Sequence, residues 1–289
     1  FFMALLLKSD SVIETLSLSL SARCLKFKER GIIPKLQVFL VGENPASILY
    51  VRNKKKLCEK IGATCEIVRF SESVDPEKFE RHILESAQNV EVHGMFVQLP
   101  VPKQLSDISF DHLIPPNKDV DGFHAQNIFG VFSGFPDNSY MRPCTPKGIL
   151  TLLSYYKIPL SGKRVLIIGR SKIVGRPLAL LMLHQDATVT MAHSKTANLQ
   201  ELSKNSDIVV AAFGRSEILD ETYFRPTGDQ TIIDVGINRR SDGKLVGDVK
   251  FDAVQSLVGA ITPVPGGVGP MTVISLIDNL LIATELQNA

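Results

Sequence analysis

The chain has 289 residues, which at about 150 residues per domain suggests two domains, each with its own core, and argues against one small module. Apolar residues make up 44% and charged residues 21%, a balance too apolar for disorder. With 32 Lys+Arg against 30 Asp+Glu the formal charge is only +2, so no summed field favours a polyanion and no nucleic-acid partner is expected.

The four cysteines, Cys24, Cys58, Cys65 and Cys144, form no Cys-x-x-Cys pair and are too sparse for a disulfide framework, which fits a reducing compartment. The six histidines are scattered, so no metal is assigned. The seven apolar residues at 1–7 have no basic segment before them and no small-residue cleavage site, so they do not read as a signal peptide; Met3 reads as the natural start. No stretch reads as approaching the roughly 20 apolar residues of a membrane span. The class expected is a cytoplasmic soluble enzyme without membrane partners.

In chain order, Asp10 is expected to cap a helix through Val12, Ile13, Leu16, Leu20 and Leu25, with Gly31 at its C′ position. A strand follows at 36–41. Asn44 and Pro45 then occupy the N-cap and first turn of a helix carried through Ile48, Leu49, Leu57 and Ile61 to Gly62. Residues 64–70 read as a strand, Asp75-Pro76 restarts a helix through Phe79, Ile83 and Leu84, and 92–99 read as a third strand. This part is βαβαβ-like. Residues 99–146 contain seven of the 16 prolines, at 100, 102, 115, 116, 136, 143 and 146, so regular structure should be sparse. A helix follows Pro146. Strand-like runs come next at 164–168, 187–192, 207–213 and 231–235, with helical segments between the first three, and a fifth at 260–264 precedes the last helix. Such alternation predicts an α/β fold of parallel strands with right-handed crossovers.

The apolar run Val165-Leu166-Ile167-Ile168 ends in Gly169-Arg170-Ser171-Lys172-Ile173-Val174-Gly175, with a helix through Leu178 and Leu181 beyond. A strand-turn-helix of this kind suits a phosphate, which needs close backbone and a helix N-terminus. The match to Gly-x-Gly-x-x-Gly is incomplete: Ser171 stands at the second glycine and the last glycine comes one residue late. An ordinary βα turn is the alternative. An NAD site usually carries an acid about 20 residues beyond the first glycine, whereas here the next strand ends His193-Ser194-Lys195-Thr196. Arg170, Lys195 and Ser194 suit a 2′-phosphate, so NADP is expected unless these are solvated surface charges.

On the second helix Ser47, Tyr50 and Lys54 are spaced i, i+3, i+7 and project from one side. A lysine is a poor base at neutral pH, but burial in a cleft can lower its pKa. The alternative is a surface pair with the Lys stem on the ring. Gln98, ending a strand, and Asp121, in the loop 118–123, could both stand at the carboxyl ends of strands where α/β sites form, or serve as turn and cap residues.

Together these residues resemble the bifunctional methylenetetrahydrofolate dehydrogenase/cyclohydrolases of one-carbon metabolism. The matching stretches are 41–54, Val97-Gln98-Leu-Pro100, Lys118-Asp-Val-Asp121-Gly-Phe, Pro143-Cys-Thr-Pro-Lys-Gly148, the turn 169–175, His193-Ser-Lys-Thr196, Asp234-Val-Gly-Ile-Asn238 and Thr262-Pro-Val-Pro-Gly-Gly-Val-Gly-Pro-Met-Thr272. They run from about residue 36 to the end in family order. Before that, Lys8-Ser9-Asp10 stands where the family often has Asp-Gly-Lys.

The resemblance implies a two-domain α/β fold: a folate-binding catalytic domain, 1–143 plus 268–289, and a Rossmann-like doubly wound NADP domain, 144–267, with the folate in a cleft between them. It implies NADP-dependent oxidation of 5,10-methylenetetrahydrofolate, then hydrolysis to 10-formyltetrahydrofolate, in a homodimer. Carried over, Lys54 transfers protons in the hydrolysis, Tyr50 packs on the folate, Gln98 orients Lys54 and Asp121 binds the pterin. Gly169, Arg170, Ser171, Ser194 and Ile237 become NADP contacts, and Pro265 and Gly266 substrate contacts. Cys144 reads as packing. Two rivals remain: another NADP-dependent dehydrogenase of a small metabolite, and a catalytically silent folate- or nucleotide-binding protein.

Overall fold

The computed structural model describes residues 4–289, and the chain divides into two compact units. One comprises Thr15–Cys144 with Val273–Ala289; the other comprises the described residues up to Glu14 with Thr145–Thr272.

The chain opens with β1 (Leu5–Leu6) and α1 (Asp10–Glu29). Ser9, not Asp10, stands just before the helix: its carbonyl accepts from Ile13 N at 2.8 Å, and Asp10 lies in the first turn, where its charge still complements the helix dipole. The expected βαβαβ then follows as β2 (Lys35–Val41), α2 (Pro45–Lys60), β3 (Thr64–Phe70), α3 (Pro76–Gln88) and β4 (Gly94–Val97). These strands form a parallel sheet in the order β3-β2-β4. Leu36 to Val41 are all buried, the continuous apolar run that a parallel strand covered on both faces requires. Asn44 Oδ1 caps α2 by accepting from Ala46 N at 3.0 Å and Ser47 N at 3.1 Å. Asp75 caps α3 through Lys78 N at 3.0 Å. Phe39, Phe79, Ile83, Met95 and Leu105 fill the core between.

The proline-rich stretch is less irregular than expected. It holds α4 (Phe110–Leu113) and α5 (Ala125–Ser133), the latter capped by His124 Nδ1 accepting from Gln126 N at 3.1 Å and closed by Gly134 at φ 67°.

The second unit follows as α6 (Cys144–Tyr155), β5 (Arg164–Ile168), α7 (Gly175–Leu183), β6 (Thr188–Ala192), α8 (Leu199–Lys204), β7 (Ile208–Ala211) and β8 (Thr231–Asp234). A small antiparallel pair, β9 (Asn238–Arg239) and β10 (Leu245–Val246), then α9 (Phe251–Val254), β11 (Ala260–Ile261) and α10 (Val268–Gln287) complete the chain. The sheet is parallel in the order β1-β11-β8-β7-β5-β6, a doubly wound arrangement whose direction reverses at β5.

The start of the chain departs from the expected domain limits. Leu5 and Leu6 pair with Ala260 and Ile261, so the described residues up to Glu14 belong with the doubly wound unit, where β1 covers an edge that β11 would otherwise leave open. The expectation that no stretch approaches a membrane span also needs correcting. By length and composition alone α10 is apolar enough, but 67% of its apolar window is buried inside the protein, as a core helix requires.

Candidate active site

In the first unit α2 and the end of β4 bring Lys54 and Gln98 together. Lys54 Nζ donates to Gln98 Oε1 at 3.2 Å and lies 3.9 Å from the centroid of the Phe96 ring. Phe96 and Gln98 are two residues apart on extended backbone and so share a face, one supplying an apolar seat and the other an acceptor. Gln98 N donates to Phe39 O at 2.9 Å, which prolongs the β4–β2 pairing, and Gln98 Nε2 donates to Leu99 O at 2.6 Å, which fixes the amide with its oxygen toward Lys54. Lys54 therefore rests on Phe96. Tyr50, one turn earlier, is 42% exposed and keeps its ring face available to a ligand.

Asp121 is carried by a loop tied down on several sides. Met95 N donates to Lys118 O at 2.7 Å, laying the loop along β4. Buried Asp119 accepts from Gly122 N at 3.0 Å, His124 N at 2.7 Å and Asn127 Nδ2 at 2.9 Å. Val120 O accepts from Asn279 Nδ2 at 2.8 Å and from Cys144 Sγ at 3.2 Å. At Gly122 (φ 79°) a Cβ would lie 2.6 Å from the Arg142 carbonyl carbon, so only glycine fits the turn. Burial pushes the Asp121 carboxyl up to about 6, with the Lys54 cation opposing and Asp119 adding to the rise. Burial likewise pushes Lys54 below the ordinary lysine range, and the charge of Asp121 holds part of that shift back. A lysine displaced toward neutrality beside a carboxyl displaced upward is a pairing suited to proton transfer.

In the second unit the turn 169–175 lies at the carboxyl end of β5, the reversal point where ligands of doubly wound sheets bind. Gly169 adopts φ 131°, and a Cβ there would strike Ala212 O, at the end of β7; a Cβ on Gly175 would strike Gly169 O. The turn is thus bare backbone. Ser171 Oγ accepts from Val174 N at 3.1 Å and Gly175 N at 3.4 Å, so its hydroxyl shapes the entry to α7. Arg170, Ser194 and Lys195 are exposed, and the turn after β6 is closed by His193 N donating to Thr196 Oγ1 at 2.9 Å. Ile237 is 49% exposed beyond β8. Gly266, at φ 100° after Pro265, has its carbonyl held by Ser9 N and Ser9 Oγ, both at 2.9 Å.

Two family models divide the chain between them. The tetrahydrofolate dehydrogenase/cyclohydrolase catalytic domain matches residues 7–121, and the NAD(P)-binding domain of the same family matches residues 143–288. The chain belongs to the tetrahydrofolate dehydrogenase/cyclohydrolase family. The bifunctional protein FolD of Ligilactobacillus salivarius is 49% identical over 258 residues, covering 89% of each chain. The crystal structure of the bifunctional FolD dehydrogenase/cyclohydrolase from Campylobacter jejuni superposes with a TM-score of 0.93 at 37% identity, covering 97% of this chain and 98% of the other. The Trypanosoma brucei enzyme, solved with NADP cofactor and an inhibitor, gives 0.91 at 30% identity, covering 99% of both.

The residues present fit the dinucleotide of this family. Close backbone at Gly169 and Gly175 admits a phosphate, and exposed Arg170 and Lys195 offer charge where β6 ends without a carboxylate. Sequence reasoning missed Phe96 under Lys54, and the ties from Asp119, Asn127 and Asn279 that present Asp121. Only the alternation of Phe96 with Gln98 was available as a signal.

Proposed function

We propose that this chain oxidises 5,10-methylenetetrahydrofolate with NADP and hydrolyses the 5,10-methenyl product to 10-formyltetrahydrofolate. The observation that carries this reading is Lys54, seated on Phe96 at 3.9 Å, bonded to Gln98 and facing the electrostatic influence of Asp121. When bound, NADP would supply the hydride acceptor for the methylene carbon. Gly169, Arg170, Ser171, Ser194 and Ile237 would hold it, with Arg170 and Lys195 favouring the 2′-phosphate. The protein's part in that step is to position the two carbons.

In the hydrolysis, water adds to the methenyl carbon and the carbon–N5 bond breaks. In its neutral form Lys54 takes one water proton as the hydroxyl adds to the methenyl cation and returns it to N5 as the carbon–N5 bond breaks, while the hydroxyl proton passes to solvent as the formyl C=O forms, the one proton that the hydrolysis releases. Gln98 holds the amine in place. Above about pH 6 Asp121 is an acceptor-only carboxylate suited to the donor edge of a pterin, and the exposed Tyr50 ring offers it a stacking face. The family resemblance further supports a cytoplasmic homodimer. The test is a coupled assay with NADP and NAD separately, following reduced dinucleotide and methenyl absorbance together. Reduction of NADP with transient methenyl absorbance is expected. Absence of turnover with methylenetetrahydrofolate would overturn the reading.

A further inference from the structure

Two carboxylates lie fully inside the doubly wound unit, beyond the residues assigned above. Asp248 is 0% exposed, and its carboxylate accepts four hydrogen bonds: Phe213 N at 2.8 Å and Gly214 N at 3.0 Å on Oδ2, and Arg215 N at 2.8 Å and Asn238 Nδ2 at 3.0 Å on Oδ1. Asp234 in turn fixes Asp248, accepting from Gly236 N at 3.1 Å and, across the chain, from Asp248 N and Val249 N at 2.9 Å. There is no slack around them: a Cβ on Gly236 would strike Asp248 Oδ1, and one on Gly247 would strike Asp234 Oδ2.

The groups that Asp248 holds are not scattered. Phe213, Gly214 and Arg215 follow β7, the strand beside β5 at the reversal point, and come directly after Ala212, whose carbonyl occupies the space a Cβ on Gly169 would need. Asn238 comes directly after Ile237, beyond β8. One buried carboxylate therefore sets the loops at the carboxyl ends of both β7 and β8. All four partners are donors, so a carboxylate matches them, whereas an amide of the same shape turns its NH₂ against two of them.

We infer that Asp248 is a positioning residue for the dinucleotide: it holds the Phe213–Arg215 and Ile237–Asn238 segments in the arrangement that receives the cofactor against the Gly169 turn. This rests on the dinucleotide reading above and adds to it a residue that touches no cofactor. A carboxylate that served folding alone would lower stability when changed but leave dinucleotide affinity in the surviving folded protein intact.

The test is isothermal titration calorimetry of NADP into the full chain. Asp248→Asn should weaken NADP binding about tenfold or more, and Asn238→Ala, which removes one donor, about threefold. Gln230→Ala is the control. Buried Gln230 ties Ser203 O, Ser206 O and Arg225 N before β8, away from the carboxyl ends, so its loss should lower the melting temperature and leave the dissociation constant within twofold. An Asp248→Asn dissociation constant within twofold of wild type overturns the inference. So does Gln230→Ala weakening NADP as much as Asp248→Asn. Should Asp248→Asn not accumulate folded, Asn238→Ala decides: an unchanged constant overturns. If the wild-type chain binds NADP but does not turn over methylenetetrahydrofolate, the proposed function falls while this inference stands or falls on the variants.

Discussion

Lys54 takes its character from three neighbours that lie far apart in the sequence. Phe96 removes water from the ammonium, Gln98 supplies one oriented acceptor, and Asp121 supplies an opposing charge. The helix spacing of Tyr50 and Lys54 could be read directly, because a 3.6-residue period decides which side chains share a face. The seat could not, since only β2–β4 pairing brings Phe96 under α2. Asp119 and Asp121 were likewise indistinguishable by type: the first is consumed by three N–H donors, and the second faces Lys54. Replacing Lys54 with Met should cut methenyl hydrolysis at least about 100-fold, the lower end of what proton transfer contributes, with NADP affinity unchanged in a titration. Asp121→Asn removes a charge that favours protonated Lys54. Its lysine limb in the pH profile of residual hydrolysis should therefore move to lower pH, and a move to higher pH would contradict the assigned pairing.

At the scale of elements, α10 helps to present the site loop. Asn279, buried near the middle of the helix, donates to Val120 O and Arg142 O, both at 2.8 Å, and so ties the residue before Asp121 to the Arg142–Pro143 backbone that Gly122 packs against. Asn279→Ala deletes both bonds while Cys144 Sγ still serves Val120 O. The expected cost is about 2–3 kcal/mol in urea unfolding, with a raised KM for the folate. Strands buried on both faces, such as β2 and β5, were legible because burial leaves a continuous apolar run that caps and glycines bracket. β1 was not, because two residues carry no period and their partner lies more than 250 residues away at Ala260. α5 was hidden by the prolines around it and by an imidazole cap, His124, outside the usual Ser, Thr, Asp and Asn.

For the molecule as a whole, buried acids set the pH dependence of stability. Burial raises Asp121 to about 6, Asp234 to about 7, and Asp119 also upward. An acid raised in the folded state stabilises fully below its unfolded pKa of about 4, and that contribution is lost as pH rises through the folded value. Buried His93 is shifted down, so it acts oppositely, favouring the folded state as pH rises toward its unfolded value of about 6.5. The ion-paired acids Asp207, Glu66 and Glu217 are shifted down and matter only below about pH 4.5, where protonation removes their contribution. Between about pH 4.5 and 6, Asp121 and Asp234, which take up protons on folding, therefore oppose one histidine that releases one, with the upward shift of Asp119 acting in the same direction as theirs. Each net proton contributes about 1.4 kcal/mol per pH unit. The urea midpoint should fall as pH rises across that window, whereas at higher pH Lys54 and Lys118, both shifted down by burial, favour the folded state as pH rises toward their unfolded value of about 10.5. Asp119 and Asp121 lie in one unit and Asp234 in the other, so both units carry the dependence. A midpoint that climbs steadily from about pH 4.5 to 6 would show that the backbone N–H groups around these carboxylates outweigh their burial.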